Sequence, residues 1–108
     1  MIAGIGTDII EIERLKDKKD LWKRFLSKKD WEYISRFIQP EEHVAGFWAA
    51  KEALVKALDN TSIEFCDINI LHTESGKPYF ENVPFEGNFH LSISHERKFA
   101  TAVVIWEK

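Results

Sequence analysis

The sequence predicts an α+β fold, with helices packed on an antiparallel sheet, and three observations carry that prediction. Residues 14–26 and 40–59 repeat apolar side chains at helical spacing. Residues 89–95 (FHLSISH) alternate apolar and polar side chains, as a half-buried strand does. The strand-like segments are short and joined by tight turns, which implies antiparallel pairing.

The elements follow in chain order. Residues 2–12 read as an isoleucine-rich strand, and Gly4 and Gly6 within it point to a bulge or a close backbone approach. Residues 14–26 are expected to be helical, with Leu15, Leu21, Trp22, Phe25 and Leu26 as the apolar set. Ser27 is placed to cap a second helix in which Trp31, Ile34 and Phe37–Ile38 recur. Pro40 opens a third helix where its missing N–H is harmless. Glu41 and Glu42 suit the positive end of that helix, which is expected to run to Asp59. Residues 65–72 read as a strand, residues 74–78 (ESGKP) as a turn and Tyr79–Phe80 as the return strand of a hairpin. Phe89, Leu91 and Ile93 share one face of the next strand. Residues 95–98 turn the chain, and residues 99–106 form the last strand.

At 108 residues the chain suits a single domain, residues 1–108. Its 44% hydrophobic and 31% charged residues are those of a folded globular chain. The one cysteine, Cys66, excludes an internal disulfide and a multi-cysteine zinc site, and reads as a small buried strand residue. His43, His72, His90 and His95 lack metal-ligand spacing. The opening MIAGIGTDIIEIER has no basic leader and is interrupted by Asp8, so no signal peptide is expected. No stretch approaches the ~18 apolar residues of a membrane span. The expected location is cytoplasmic, with no membrane partner.

The net charge of −3 is unevenly placed. Arg14, Lys16, Lys18, Lys19, Lys23, Arg24, Lys28 and Lys29 face only Asp17 and Asp20 within residues 14–29, while the rest of the chain is strongly acidic. A basic segment on an acidic protein suits a compact acidic protein partner better than a nucleic acid, which the acidic remainder would repel. The alternative is a solvated helix face.

The helix at 40–59 departs from its own pattern. At about 100° per residue, Val44, Phe47, Trp48, Leu54, Val55 and Leu58 form one apolar stripe, and Lys51 falls inside it. A lysine there must be buried, snorkel or meet a negative charge. It either snorkels or overhangs a pocket that holds an anion. Glu52 and Lys56 lie four apart on the flank, with the small residues Ala45 and Ala49 beside them. They form either an ordinary helix ion pair or, with room for a ligand, part of a diphosphate site. Asp8, in an otherwise apolar strand, would supply a second carboxylate. Mg²⁺ typically takes one or two carboxylates and completes its octahedron with phosphates and water.

Three blocks resemble a known family: GIGTDIIEIER (Gly4–Arg14), FWAAKEALVKAL (Phe47–Leu58), and GKP (Gly76–Pro78) with LSISHERKFATAVV (Leu91–Val104). Together and in this order they resemble holo-acyl-carrier-protein synthases, the short bacterial class of 4′-phosphopantetheinyl transferases. The resemblance implies transfer of 4′-phosphopantetheine from coenzyme A to a serine of apo-acyl-carrier protein, releasing 3′,5′-ADP. It implies Asp8 and Glu52 as Mg²⁺ ligands, with Lys56 near the reacting phosphate. It places Lys51, Lys56, Gly76, Lys77, Pro78, Ser94 and His95 at coenzyme A. Arg14, Lys18 and Arg24, on the basic segment, would meet an acidic carrier protein. A homotrimer with active sites between subunits is implied as well.

One departure stands out. The family commonly reads A-G-R-F-A-A-K-E-A, and here Phe47 takes the arginine's place. Either another cation replaces it, Lys77 or Arg97, or affinity for coenzyme A is altered. The second candidate is a non-catalytic coenzyme A or nucleotide binder of the same fold. An interaction module using the basic helix and a metal-dependent phosphohydrolase on Asp8 and Glu52 are the remaining alternatives.

Overall fold

Gly4 and Gly6 let the first strand lie directly against the long helix. A methyl group at Gly4 would collide with the Ala57 carbonyl oxygen; at Gly6 it would collide with that of Ala53 and stand 2.7 Å from the Ala57 amide nitrogen. The computed structural model describes residues 1–108. Its strands are β1 (Ile2–Glu11), β2 (Asn69–His72), β3 (Pro78–Glu81), β4 (Asn88–His95) and β5 (Phe99–Glu107). Its helices are α1 (Lys19–Trp22), α2 (Lys28–Ile34) and α3 (Glu41–Leu58), with 3₁₀ turns at Ile12–Leu15 and Phe65–Asp67. The architecture is the expected α+β, but the strands form two sheets. One is antiparallel in the order β1-β5-β4, and the other is the β2–β3 hairpin.

The pairing of the first strand with the last brings the chain ends together. The Met1 ammonium donates to the Lys108 carbonyl at 2.7 Å. Helix α3 crosses the three-stranded sheet on its small residues. Ala45, Gly46, Ala49, Ala53 and Ala57 are buried, as are Ala100 and Ala102 on β5. Ala45 and Ala49 therefore do not leave room for a ligand, because the sheet fills that space. The opposite side of α3 meets a second layer containing Leu15, Trp22, Phe25, Ile34, Ile68 and Ile70. Trp48 and Val55, expected in the core stripe, are only half-buried.

Three expected elements are shorter than their patterns suggested. Residues 14–26 are not one helix: Asp17 takes a left-handed conformation (φ 57°) and divides a 3₁₀ turn from the single-turn α1. Leu15 and Trp22 still reach the core, and the Trp22 indole N–H donates to the Leu15 carbonyl at 2.7 Å. Helix α2 begins with Ser27 and Asp30 exchanging side-chain-to-backbone hydrogen bonds across its first turn. It ends at Ile34, and Ile38 beyond it is fully exposed.

Residues 65–72 form a strand only from Asn69. The carbonyls of Phe65 and Ile68 accept from Lys51 rather than from a ladder, and the Ile70 amide donates to Asp30. Cys66 lies in this 3₁₀ turn, half-buried, and not in a strand. No helix is long and apolar enough to cross a membrane.

Candidate active site

Strand alternation sets the position of Asp8. Gly4, Gly6 and Asp8 share the face of β1 turned toward α3, and Gly6 brings the helix close. On the flank of α3 above Asp8 stand Glu52 and Lys56, one helical turn apart. The Lys56 ammonium donates to the Thr7 carbonyl at 2.9 Å and to Asp8 Oδ1 at 3.2 Å. Asp8 is largely buried, and the Thr101 hydroxyl fixes its backbone by donating to the Asp8 carbonyl at 2.8 Å. Burial raises the Glu52 pKa above the ordinary glutamate value. The Asp8 carboxylate raises it further, and Lys56 partly opposes both. Two carboxylates thus repel each other beside one fixed cation.

That donor set suits a hard divalent cation. No group of three or more His, Cys, Asp or Glu side chains gathers as a metal cage anywhere in the chain. A pair of carboxylate oxygens open to solvent on one side is what Mg²⁺ uses when substrate phosphates and water supply its other ligands.

Gly76, Pro78 and His95 gather elsewhere. They line a cavity of about 170 Å³ with Tyr33, His43, Phe47 and His72. Gly76 has φ 94°, which fits its place in a tight turn closed by the Gly76 amide donating to the Thr73 carbonyl at 2.9 Å. The Tyr33 and His72 rings stack at 4.1 Å between centroids, and Phe37 and His43 at 3.8 Å. His95 pairs with Glu42 at 3.1 Å. Burial lowers the pKa values of His43 and His72, and a neighbouring imidazole lowers each further. No lysine or arginine lines this cavity. Lys77 is exposed between the lining residues Gly76 and Pro78, and Arg97 lines a separate groove with Glu11, Glu13 and Glu41. His43 and His72 join His95 here from α3, β2 and β4, a grouping with no signal in the sequence because the three show no common spacing.

One ligand residue expected from sequence is corrected. Lys51 is completely buried and cannot reach a ligand. Its ammonium donates to Asp30 Oδ2 at 2.6 Å and to the carbonyls of Phe25, Phe65 and Ile68 at 2.7–2.8 Å. The buried partner is Asp30, which the helical wheel of α3 could not reveal. Ser94 lies outside the cavity that His95 lines and is exposed. It pairs in register with Thr101 on the sheet face turned away from α3. Arg14, Lys18 and Arg24 are exposed, and Lys18 and Arg24 border one open groove with Lys19 and Leu21.

Residues 4–104 match the profile of the 4′-phosphopantetheinyl transferase superfamily. The chain belongs to this family. It is 42% identical to the holo-[acyl-carrier-protein] synthase of Halothermothrix orenii, with 100% of this chain and 99% of the relative covered. It is 40% identical to that of Streptococcus suis, covering 100% and 98%. A crystal structure of the Bacillus anthracis synthase in complex with CoA (3′,5′-ADP) superposes with a TM-score of 0.93 at 37% identity, covering 100% and 98%. The Helicobacter pylori synthase in complex with coenzyme A gives 0.82 at 31% identity, covering 95% and 99%. The fold class expected from sequence is thus that of the family's solved structures.

Proposed function

We propose that this protein transfers 4′-phosphopantetheine from coenzyme A to a serine of an acyl-carrier protein. The single observation that carries the reading is the convergence of Asp8, Glu52 and Lys56 where β1 meets α3, in a chain related over its full length to holo-[acyl-carrier-protein] synthases. Asp8 and Glu52 would hold Mg²⁺, which when bound neutralises negative charge on the diphosphate of coenzyme A. Lys56 adds a fixed positive charge that stabilises the charge developing on departing 3′,5′-ADP. The Thr7 carbonyl and Asp8 restrain the lysine, so little reorganisation is needed as that charge develops. The carrier serine attacks the β-phosphorus in line, and positioning with electrostatics does most of the work.

The nucleotide end belongs at Gly76, Pro78 and His95 in this reading. Within one chain, α3 stands between those residues and Asp8. Asp8, Ala102 and Ile93 lie in one row across β1, β5 and β4, so Asp8 and Ile93 are about two strand spacings apart, roughly 10 Å. Ile93 and Gly46 border the nucleotide cavity on one flank of the helix, while Glu52 and Lys56 occupy the other. A ligand joining both regions is easier to place between two copies. The open face of the sheet supports this, because it exposes Ile5, Ile9, Phe99 and Val103 on one side. The reading therefore includes a homotrimer with shared sites, an acidic carrier docked on Arg14, Lys18 and Arg24, and a cytoplasmic location.

The test is the intact mass of an apo-acyl-carrier protein after incubation with this protein, coenzyme A and Mg²⁺, with an EDTA control. A metal-dependent gain of one phosphopantetheine is expected, and Glu52→Gln should lose at least about 100-fold in kcat/KM while staying folded. The lack of any lysine or arginine in the cavity holding Phe47 favours one second reading, a coenzyme A binder without turnover. It predicts bound ligand and an unmodified carrier.

A further inference from the structure

Arg36 stands at the border of the aromatic cavity with its charge unpaired. It lies just past α2, three residues after Tyr33, and its amide donates to the Tyr33 carbonyl at 3.3 Å. That spacing brings the two side chains together. The Arg36 guanidinium lies over the Tyr33 ring, 5.2 Å from its centroid. Tyr33 in turn lines the cavity and stacks with His72 and Phe47. Arg36 is exposed and makes no ion pair with any carboxylate. Its charge is felt inside the cavity all the same: burial lowers the His72 pKa, and His43 and Arg36 lower it further.

The cavity interior does not suit a dianion. Tyr33, Phe47 and Ile93 give it uncharged walls, burial disfavours the charged forms of His43 and His72, and Glu42 brings a carboxylate. A flat base fits such a space, but a phosphate borne on its ribose is better placed at the rim. We propose that Arg36 binds the phosphate on the ribose of coenzyme A and so determines the preference for coenzyme A over the form that lacks this phosphate. The proposal rests on the transferase reading above, with the nucleotide at Gly76, Pro78 and His95. A guanidinium offers parallel N–H donors that match two phosphate oxygens. The Tyr33 ring holds that fork in place, and no carboxylate has to be displaced from it. Lys77, exposed on the turn between Gly76 and Pro78, is a flexible point charge and makes the natural control.

The experiment measures kcat/KM of the full chain, with Mg²⁺ and apo-acyl-carrier protein, for coenzyme A and for 3′-dephospho-coenzyme A. Both donors hand over the same 4′-phosphopantetheine, and the second releases AMP in place of 3′,5′-ADP. Wild type should prefer coenzyme A at least about tenfold. Arg36→Ala should abolish the preference by raising KM for coenzyme A alone, and Arg36→Lys should restore only part of it. Lys77→Ala should keep the preference. Arg36 and Lys77 are both exposed, so these variants should stay folded. Equal weakening of both donors by Arg36→Ala would make Arg36 a support for Tyr33 and overturn the proposal. A preference that survives Arg36→Ala, that is lost in Lys77→Ala instead, or that wild type never shows would overturn it too. In each of those cases wild-type transfer from coenzyme A leaves the transferase reading standing. Wild type that modifies no carrier with either donor would overturn both.

Discussion

Lys51 and Asp30 lie 2.6 Å apart with neither side chain exposed, and their contact ties α3 to the first turn of α2. Asp30 also accepts from the amides of Ser27 and Ile70, so one carboxylate joins two helices and the hairpin. Burial pulls the Lys51 pKa below the ordinary lysine value, and the Asp30 carboxylate pulls it back up. A buried pair of this kind contributes little beyond its desolvation cost while intact, but loses much when one partner is removed.

Lys51→Met should therefore lose about 3–5 kcal/mol of stability, read by urea denaturation. The variant strands a buried carboxylate and three carbonyls. Coenzyme A affinity of the folded fraction should be nearly unchanged. Full stability with weakened coenzyme A binding would return Lys51 to the ligand site.

Gly6→Ala tests the approach of β1 to α3. The added methyl group meets the Ala53 carbonyl, which belongs to helix backbone and cannot rotate aside. The expected cost is about 1–3 kcal/mol. Because Asp8 is two residues further along the same face, kcat should fall as well. A variant with unchanged melting temperature and kcat would mean that the helix moves freely on the sheet.

Ile9→Glu probes the open sheet face. Ile9 is 66% exposed in the single chain, so a charge there costs the isolated fold little. If the face is buried between copies, the charge should break the assembly and abolish transfer while circular dichroism stays native. Light scattering with an activity assay reads both. A fully active wild-type monomer would remove the shared-site reading.

The aromatic cavity should make stability sensitive to mild acid. The folded-state pKa values of His43 and His72 lie below the ordinary imidazole value, so the unfolded chain takes up protons first as pH falls. Stability is full above about pH 6.5 and is lost as pH drops below it. Glu42 opposes this at His43 and Asp30 at His72, while His95 at His43, and His43 and Arg36 at His72, reinforce it. Melting temperatures between about pH 7.5 and 5.5 should fall more steeply for wild type than for a His43→Asn, His72→Asn double variant. Parallel curves would mean that these imidazoles charge freely in the folded state.

Local pattern alone determined much of this protein. The alternation of Phe89, Leu91 and Ile93, the cap at Ser27, the helix opened by Pro40 and the ESGKP turn are each set by residues within a few positions of one another. The same holds for the face shared by Glu52 and Lys56, which helical spacing dictates. Contacts between distant segments followed different rules. The wheel placed Lys51 among apolar residues, but only packing brought Asp30 to it from another helix. Gly4 and Gly6 signalled a close approach, but not that the small face of α3 would fill it. The break at residues 65–68 arose where the Phe65 and Ile68 carbonyls found the Lys51 ammonium in place of ladder bonds. The cavity of His43, His72 and His95 needed three elements to be brought side by side. Sequence spacing encodes which faces an element presents; which faces then meet depends on burying apolar surface and satisfying every enclosed polar group, and that is settled only by the tertiary structure.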